Sequence, residues 1–366
     1  MINGKTVNKQ PIDVAIKDKQ IIAIDKNLSK INAMKTIDLE SKYFISPGWI
    51  DDHTHCYEKL TLYFDDPDED GYKTGVTTVI DAGSTGANNI GDFYNITRSK
   101  ITNVLAMINV SKTGILDQDE LGNLKTIDSN LLYKIFDKYK DFIVGIKVRE
   151  SHSVVIDNNV KPLIAGKKIQ KELGNPPLMV HIGANPPELQ DVLSLMEEKD
   201  ILTHAYNGKI NGILDKEGNV QNFVWQAYQR GVIFDVGHGT DSFNFNTAKV
   251  AKEVGLNPKS ISTDIYNRNR IQGPVYDMAT TLEKMIYLGY SLSEVIKMVT
   301  EAPANNFNLR SKGHLQVGYD GDLTIFSVSN GEKVLTDSNG NQKKATTLIN
   351  PQLVVIGGQI YKIGGN

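Results

Sequence analysis

Between residues 46 and 311, short apolar runs alternate with longer amphipathic stretches, and few folds accommodate such an alternation. One run ends at His55; the others cover 76–82, 104–110, 142–148, 178–182, 201–206, 232–236 and 261–265, eight in all. Helical spacing fills the gaps at 129–139, 161–173, 187–198, 245–254 and 278–288. Residues 208–222, rich in Gly, Asn and charge, read as a long loop after the sixth run. Eight strand-then-helix units predict an α/β protein built on a (β/α)8 TIM barrel, with reactive groups at the C-terminal ends of its strands.

The two ends of the chain read differently. Ile12-Asp13-Val14-Ala15-Ile16 and Ile21-Ile22-Ala23-Ile24 flank the turn-prone Lys17-Asp18-Lys19-Gln20. Near the other end, Asp322-Leu323-Thr324-Ile325-Phe326 and Gln352-Leu353-Val354-Val355-Ile356 are strand-like, the latter followed by Gly357-Gly358 and Gln359-Ile360-Tyr361. We therefore expect a small β-sandwich domain assembled from residues 1–45 and 312–366, around a barrel at 46–311.

Charge and cysteine content narrow the class of function. A formal charge of −3, with 23% charged residues and no basic stripe, speaks against a nucleic-acid partner. No run is long enough to span a bilayer, and Met1-Ile2-Asn3-Gly4-Lys5 lacks the apolar core of a secretion signal, so neither membrane nor export is expected. Cys56 is the single cysteine, which rules out an intrachain disulfide. The expectation is a cytoplasmic protein acting on a small molecule, with homo-oligomers anticipated only from base rates.

Seven histidines are present, and five fall at the ends of strand candidates. In Asp51-Asp52-His53-Thr54-His55, introduced by Ile45-Ser46-Pro47-Gly48-Trp49-Ile50, side-chain alternation points His53 and His55 to one face, where two imidazoles can share a divalent ion. Lys147 closes the fourth run, His181 the fifth, His204 the sixth and His238 the seventh, in Gly237-His238-Gly239; Asp264 lies in the eighth. Lys147 is a lone cation in the apolar Gly145-Ile146-Lys147-Val148, where the neutral amine is favoured. Arg149 falls on the same side of its strand; it either stabilises an oxyanion or binds a substrate carboxylate, or it forms a barrel-rim salt bridge. His238 is read as a substrate contact or a structural hydrogen-bonding group. Asp51 and Asp52 orient the ligands or cap the strand end. Cys56 reads as packed, His152 as solvated, and His314 as remote.

These residues resemble the amidohydrolase superfamily of metal-dependent hydrolases. The Pro-Gly-x-Ile-Asp-x-His-x-His entry and the split β domain carry the likeness over nearly the whole chain. The resemblance implies that His53, His55 and Asp264 hold one divalent ion, most often Zn²⁺, and that His181 and His204 hold a second. It implies that Lys147, carbamylated by carbon dioxide, bridges the two, since an ammonium has no lone pair with which to ligate a cation. It further implies that a hydroxide held between the ions attacks a carbonyl carbon, while Asp264 takes its proton and passes it to the leaving group.

Within that superfamily three activities compete. Mononuclear deaminases lack the strand-four lysine. Dihydroorotase-like enzymes usually carry an arginine two residues after the second histidine, where this chain has Tyr57. A deacetylase group near the dihydroorotases, whose members have been labelled dihydroorotase or adenine deaminase, is similar in Gly75-Val76-Thr77-Thr78-Val79, in Asp81-Ala82-Gly83-Ser84, in Gly145-Ile146-Lys147-Val148-Arg149 and in Ser262-Thr263-Asp264-Ile265-Tyr266. The expected activity is hydrolysis of an acetyl ester or amide of a small carboxylate-bearing molecule, with ring opening of a cyclic amide or imide as the alternative. A metal-bearing but inactive structural partner is the reading outside enzymology; such proteins have typically lost ligands, and all six candidates are present here.

Overall fold

Apolar runs bounded by Gly, Pro and Asn become short strands, and a computed structural model describing residues 1–364 arranges them in two sheets. The chain begins with β1 (Gly4–Lys5), β2 (Pro11–Lys17), β3 (Gln20–Asp25) and β4 (Phe44–Pro47). It continues with β5 (Trp49–Thr54), β6 (Val76–Ala82), β7 (Asn103–Asn109), β8 (Ile143–Glu150), β9 (Leu178–Ile182), β10 (Ile201–Thr203) and β11 (Ile233–Phe234). It closes with β12 (Leu323–Thr336), β13 (Gln342–Ile356) and β14 (Gln359–Lys362).

Strands β5 to β11 form a curled sheet in chain order, every neighbouring pair parallel. Parallel neighbours need a crossover, and helices such as Ser129–Lys138, Lys161–Glu172 and Asn222–Arg230 lie between successive strands. The strands are apolar on both faces because both are covered. Ile50, Ile80, Met107, Met179 and Ile201 pack on one side with Phe307, while Val79, Ile108, Ile146 and Leu202 belong to the core on the other side.

The eighth expected strand, 261–265, does not form as one. This segment meets both edges of the curled sheet through single bridges, Asp235 with Ser260 and Thr54 with Ile265. Backbone bonds such as His55 N to Ile265 O (2.9 Å) and Val236 N to Ser260 O (3.3 Å) are interleaved with bonds to side-chain oxygens: Ile265 N donates to Thr263 Oγ1 (3.1 Å), Gly237 N to Ser262 Oγ (3.1 Å), and Thr263 N to Asp51 Oδ1 (3.1 Å). Strands β10 and β11 are likewise shorter than the apolar runs at 201–206 and 232–236. His204 (φ 64°) and Gly237 (φ 48°) turn the backbone out of the extended region just where the chain reaches the sheet edge.

The second sheet runs β14-β13-β12-β4-β1-β2-β3 and draws on both ends of the chain. Its strands follow one continuous hydrogen-bonded order, antiparallel except where β1 meets β4. Ile12, Val14, Ile21, Ile45, Leu323, Ile325 and Val355 share its core. Two short terminal strands read from sequence turn out to be the sheet-forming halves of one long hairpin, β12–β13, whose outer half runs past the sheet toward the mouth of the other one. The outer half alternates polar residues such as Glu332, Lys333, Lys343 and Lys344, which hides it from an apolar-run search. Between the sheets Phe326 lies 5.4 Å from both Phe44 and Trp49, and Trp49 N donates to Thr324 Oγ1 (3.1 Å). Among the described residues no helix is long and apolar enough to cross a membrane.

Candidate metal centre

Six side chains singled out in the sequence converge at the C-terminal edge of the curled sheet. His53 and His55 leave the end of β5 on one face, and each Nε2 lies close to Asp264 Oδ1, at 3.3 and 3.2 Å. One ligand atom from each of these three residues falls within 4.8 Å of the others. Asp264 has φ 50°, an uncommon left-handed backbone, and Asp264 N donates to His53 O (2.7 Å), so the chain turns to bring the carboxylate onto the imidazoles. Lys147, on β8, is fully buried with Nζ 3.0 Å from His53 Nε2. The rings of His53 and His204 lie 5.0 Å apart, and His204 Nε2 meets His181 Nδ1 at 3.0 Å.

The far nitrogens of the histidines fix which atoms face inward. His204 Nδ1 lies 2.6 Å from Gly237 O, a carbonyl that can only accept, so Nδ1 carries the proton and Nε2 the lone pair. His53 Nδ1 lies 2.8 Å from Thr203 Oγ1, whose own hydrogen goes to Asp235 Oδ2 (2.8 Å). The hydroxyl must therefore accept from Nδ1–H, and His53 also turns a lone pair inward. Asp235 is pinned by Ser260 Oγ (2.9 Å) and Ser262 Oγ (2.6 Å). His55 Nδ1 lies 2.8 Å from Ser84 Oγ, and Ser84 N donates to Asp81 Oδ1 (2.8 Å).

Electrostatics favour uncharged imidazoles. Burial pushes His53 and His181 well below their ordinary value, with Lys147 adding to the first and His204 to the second. Burial also brings His204 down to about 4. Burial alone would raise the Asp264 carboxyl, but the His55 hydrogen bond and the charges of His204 and Lys147 outweigh it and keep the group below its ordinary range. Burial lowers Lys147 to about 7, and among the described residues no carboxylate bonds it; its partners are His53 Nε2 and Met179 Sδ (3.4 Å).

This donor set fits a divalent cation. The lone pair of His53 Nε2 faces a carboxylate oxygen 3.3 Å away in a buried space, a repulsion that an intervening cation turns into two bonds. Two ligands on one tetrahedral ion at about 2.0–2.1 Å stand roughly 3.3 Å apart.

The remaining sequence candidates have other surroundings. Arg149 is buried and gives Nη1 to both oxygens of Glu120, at 3.1 and 3.0 Å, with its guanidinium 5.7 Å from the Tyr63 ring. The salt-bridge reading of Arg149 thus describes its contacts. His238 is buried, with Nδ1 at 2.9 Å from Gly239 O and Nε2 at 2.7 Å from Lys284 Nζ. Asp51 ties β5 to Thr263 through Oγ1 (2.5 Å), and Asp52 beside it is fully buried. Cys56 is buried, His152 is exposed, and His314 packs on Tyr319 (5.6 Å) away from the site.

Several neighbours escaped the sequence reading. Tyr63 packs on His55 (5.8 Å) and Tyr266 (5.1 Å), and Tyr266 Oη lies 3.0 Å from Thr240 Oγ1, so two tyrosines wall the mouth. Thr203 and Asp235 had a signal, since one precedes His204 and the other lies three residues before His238, but a threonine or aspartate near a strand end is common. Glu120 and Lys284 had none; they lie in a loop and in mid-helix.

Comparisons with known proteins agree with this geometry. A family model described as a deacetylase-like composite domain matches residues 315–362. A deacetylase of Enterococcus faecalis is 53% identical over 98% of this chain and 97% of its own length. A solved structure described as an adenine deaminase superposes with a TM-score of 0.98 at 53% identity, covering 99% of this chain and 98% of that one. Another, described as a dihydroorotase, gives 0.89 at 33% identity, covering 97% and 93%. With a deacetylase matched end to end at that identity, and with such structural neighbours, this chain belongs to the deacetylase group of the amidohydrolase superfamily and is one of its metal-dependent hydrolases.

Proposed function

We propose that this enzyme cleaves an acetyl ester or amide of a small carboxylate-bearing molecule, water and substrate giving acetate and the freed alcohol or amine. The curled sheet and segment 259–265 are read together as a closed (β/α)8 barrel, residues 46–311, with a separate β domain from 1–45 and 312–366. His53, His55 and Asp264 would hold one ion, and His181 and His204 a second. The imidazole and carboxylate set suits Zn²⁺ and also accepts Mn²⁺, Co²⁺ or Fe²⁺. Lys147, neutral above about pH 7, would add through its amine nitrogen to the carbon of carbon dioxide and release a proton, and the resulting carbamate would offer the ions an anionic oxygen donor where an ammonium offers none. When bound, such a pair of ions supplies a Lewis acid and an activated water at neutral pH.

The chain's own groups do the rest. Asp264, at the centre of the site, accepts the proton of the attacking water and delivers it to the leaving oxygen or nitrogen. Tyr63 and Tyr266 exclude bulk water from the mouth. Glu120 orients Arg149 beside the site, and the guanidinium meets the substrate's carboxylate or the developing oxyanion with its remaining donors. Ring opening of a cyclic amide is the second reading, favoured by the likeness to a dihydroorotase structure. A small molecule in a cytoplasmic setting, with neither nucleic acid nor membrane as partner, suits a formal charge of −3.

The observation that carries this reading is the buried Lys147 amine, with no bonded carboxylate among the described residues, at 3.0 Å from His53 Nε2. The test is a panel of N-acetyl and O-acetyl hydroxy and amino acids, both enantiomers, beside dihydroorotate, hydantoins and adenine, with metal content measured on the same preparation. Acetate release with about two ions per chain is expected. Turnover of only the ring compounds or of adenine overturns the proposal. Lys147→Ala is expected to lose one or both ions and at least about a hundredfold in kcat; full occupancy and full activity would eliminate the carbamate.

A further inference from the structure

The outer end of the β12–β13 hairpin reaches the loop that touches two proposed ligands. In that loop Gly237 O accepts from His204 Nδ1 (2.6 Å), and a Cβ on Gly239, at φ 56°, would stand 2.4 Å from Asp264 Oδ2. The loop's inner side is fixed to 259–265, with His238 N donating to Ser262 O (3.1 Å) and Gly239 N to Thr263 O (2.9 Å). Its outer side is fixed by the hairpin turn. Ser338 Oγ donates to Gly239 O (3.0 Å) and accepts from Phe243 N (3.1 Å), while Ser338 N donates to Phe243 O (2.9 Å). Buried Asp337 shapes the turn, accepting from Asn339 N (2.9 Å) and Asn341 N (2.8 Å), and through Oδ2 from Phe245 N (3.0 Å).

The hairpin's shaft makes this contact stiff. Lys333 Nζ bonds Glu283 Oε2 (2.8 Å) and Thr280 Oγ1 (2.9 Å), and Glu283 Oε1 accepts from Ile349 N (2.9 Å), so the shaft is fastened along helix Met278–Tyr287. On the same helix Lys284 bonds His238 Nε2 (2.7 Å). Loop 237–245 is thus held between helix and hairpin, with Gly239 pressed against the Asp264 carboxylate. Only a residue without a side chain permits that approach, and a backbone without a Cβ is also the most mobile, so it needs an outside brace.

We infer that Ser338 is a positioning residue: by bonding the Gly239 carbonyl it sets the place of Asp264, making the hairpin tip a working part of the catalytic wall. The inference rests on the proposed role of Asp264, so its test includes readouts that do not need turnover. In the full-length holoenzyme, Ser338→Ala removes the hydroxyl, Ser338→Thr keeps it, and Asn339→Ala removes a different bond of the same turn, to Asn244 (2.8 Å). Metal release to a chelator, amide hydrogen exchange over 237–245, and kcat and KM on the acetyl substrate are measured for each.

Ser338→Ala is expected to release metal about tenfold faster and to lose about fivefold in kcat with KM within about twofold, with faster exchange at Gly239 and Thr240. Ser338→Thr restores these values, and Asn339→Ala matches the wild type. The inference is overturned if Ser338→Ala behaves as the wild type, or if Asn339→Ala loses as much. An enzyme inert toward every acetyl compound refutes the proposed function, and metal release and exchange still decide this inference; a preparation without metal leaves the decision to exchange alone.

Discussion

Thr203 shows how one hydroxyl settles a ligand's protonation. Because Asp235 takes its hydrogen at 2.8 Å, Thr203 can only accept from His53 Nδ1, and the lone pair of Nε2 turns toward Asp264. Thr203→Val keeps shape and removes the acceptor; we expect metal affinity to fall about 10- to 100-fold, measured by chelator competition, with little change in fold. Glu150 presents a separate case, a buried carboxyl that burial pushes up to about 8 from its ordinary 4.5, against a smaller opposing effect of the Leu163 backbone N–H. Between those two values the unfolded chain releases the proton while the folded chain keeps it. The unfolded state therefore binds fewer protons, and stability falls as pH rises through that window. Glu150→Gln removes this dependence. Its thermal midpoint is expected to exceed the wild type's at pH 8 and to converge with it near pH 4, and parallel curves would disprove the account.

At the level of elements, the Pro47-Gly48 step is the point where the chain leaves one sheet for the other. Phe44–Pro47 pairs with β12, Gly48 N donates to Asp322 O (2.8 Å), and Trp49 opens the parallel sheet. A Cβ at Gly48 would sit 2.1 Å from Thr77 Oγ1, so the glycine is there for close approach. Gly48→Ala should destabilise by about 1–3 kcal/mol in chemical denaturation, and by less in a Thr77→Ala background where the clash is partly relieved. Strands whose apolar runs were bounded by turn residues were legible within a few residues, and so was their order. The polar outer hairpin and the eighth segment were not, because contacts with helix Met278–Tyr287 and with Asp51 replace the patterns an isolated strand would show.

For the molecule as a whole, a buried aromatic group helps to join the two sheets, beside hydrogen bonds such as Trp49 N to Thr324 Oγ1 (3.1 Å). Phe326 lies 5.4 Å from Phe44 and from Trp49, both buried. Phe326→Ala is expected to cost roughly 3–5 kcal/mol in denaturant unfolding, and a single transition in the wild type would show that both sheets unfold together. Such coupling is useful to the site, since the hairpin bracing loop 237–245 starts in the sheet that Phe326 anchors.

Local chemistry sufficed to single out candidate donors. Alternation on a strand puts His53 and His55 on one face whatever the rest does, and a lysine in an apolar strand is driven toward its neutral form by burial wherever that strand packs. Which partners those donors meet was a tertiary decision. Glu120 on Arg149, Lys284 on His238 and Ser338 on Gly239 are separated by 29, 46 and 99 residues, and no periodicity within a short window records contacts made across such lengths of chain.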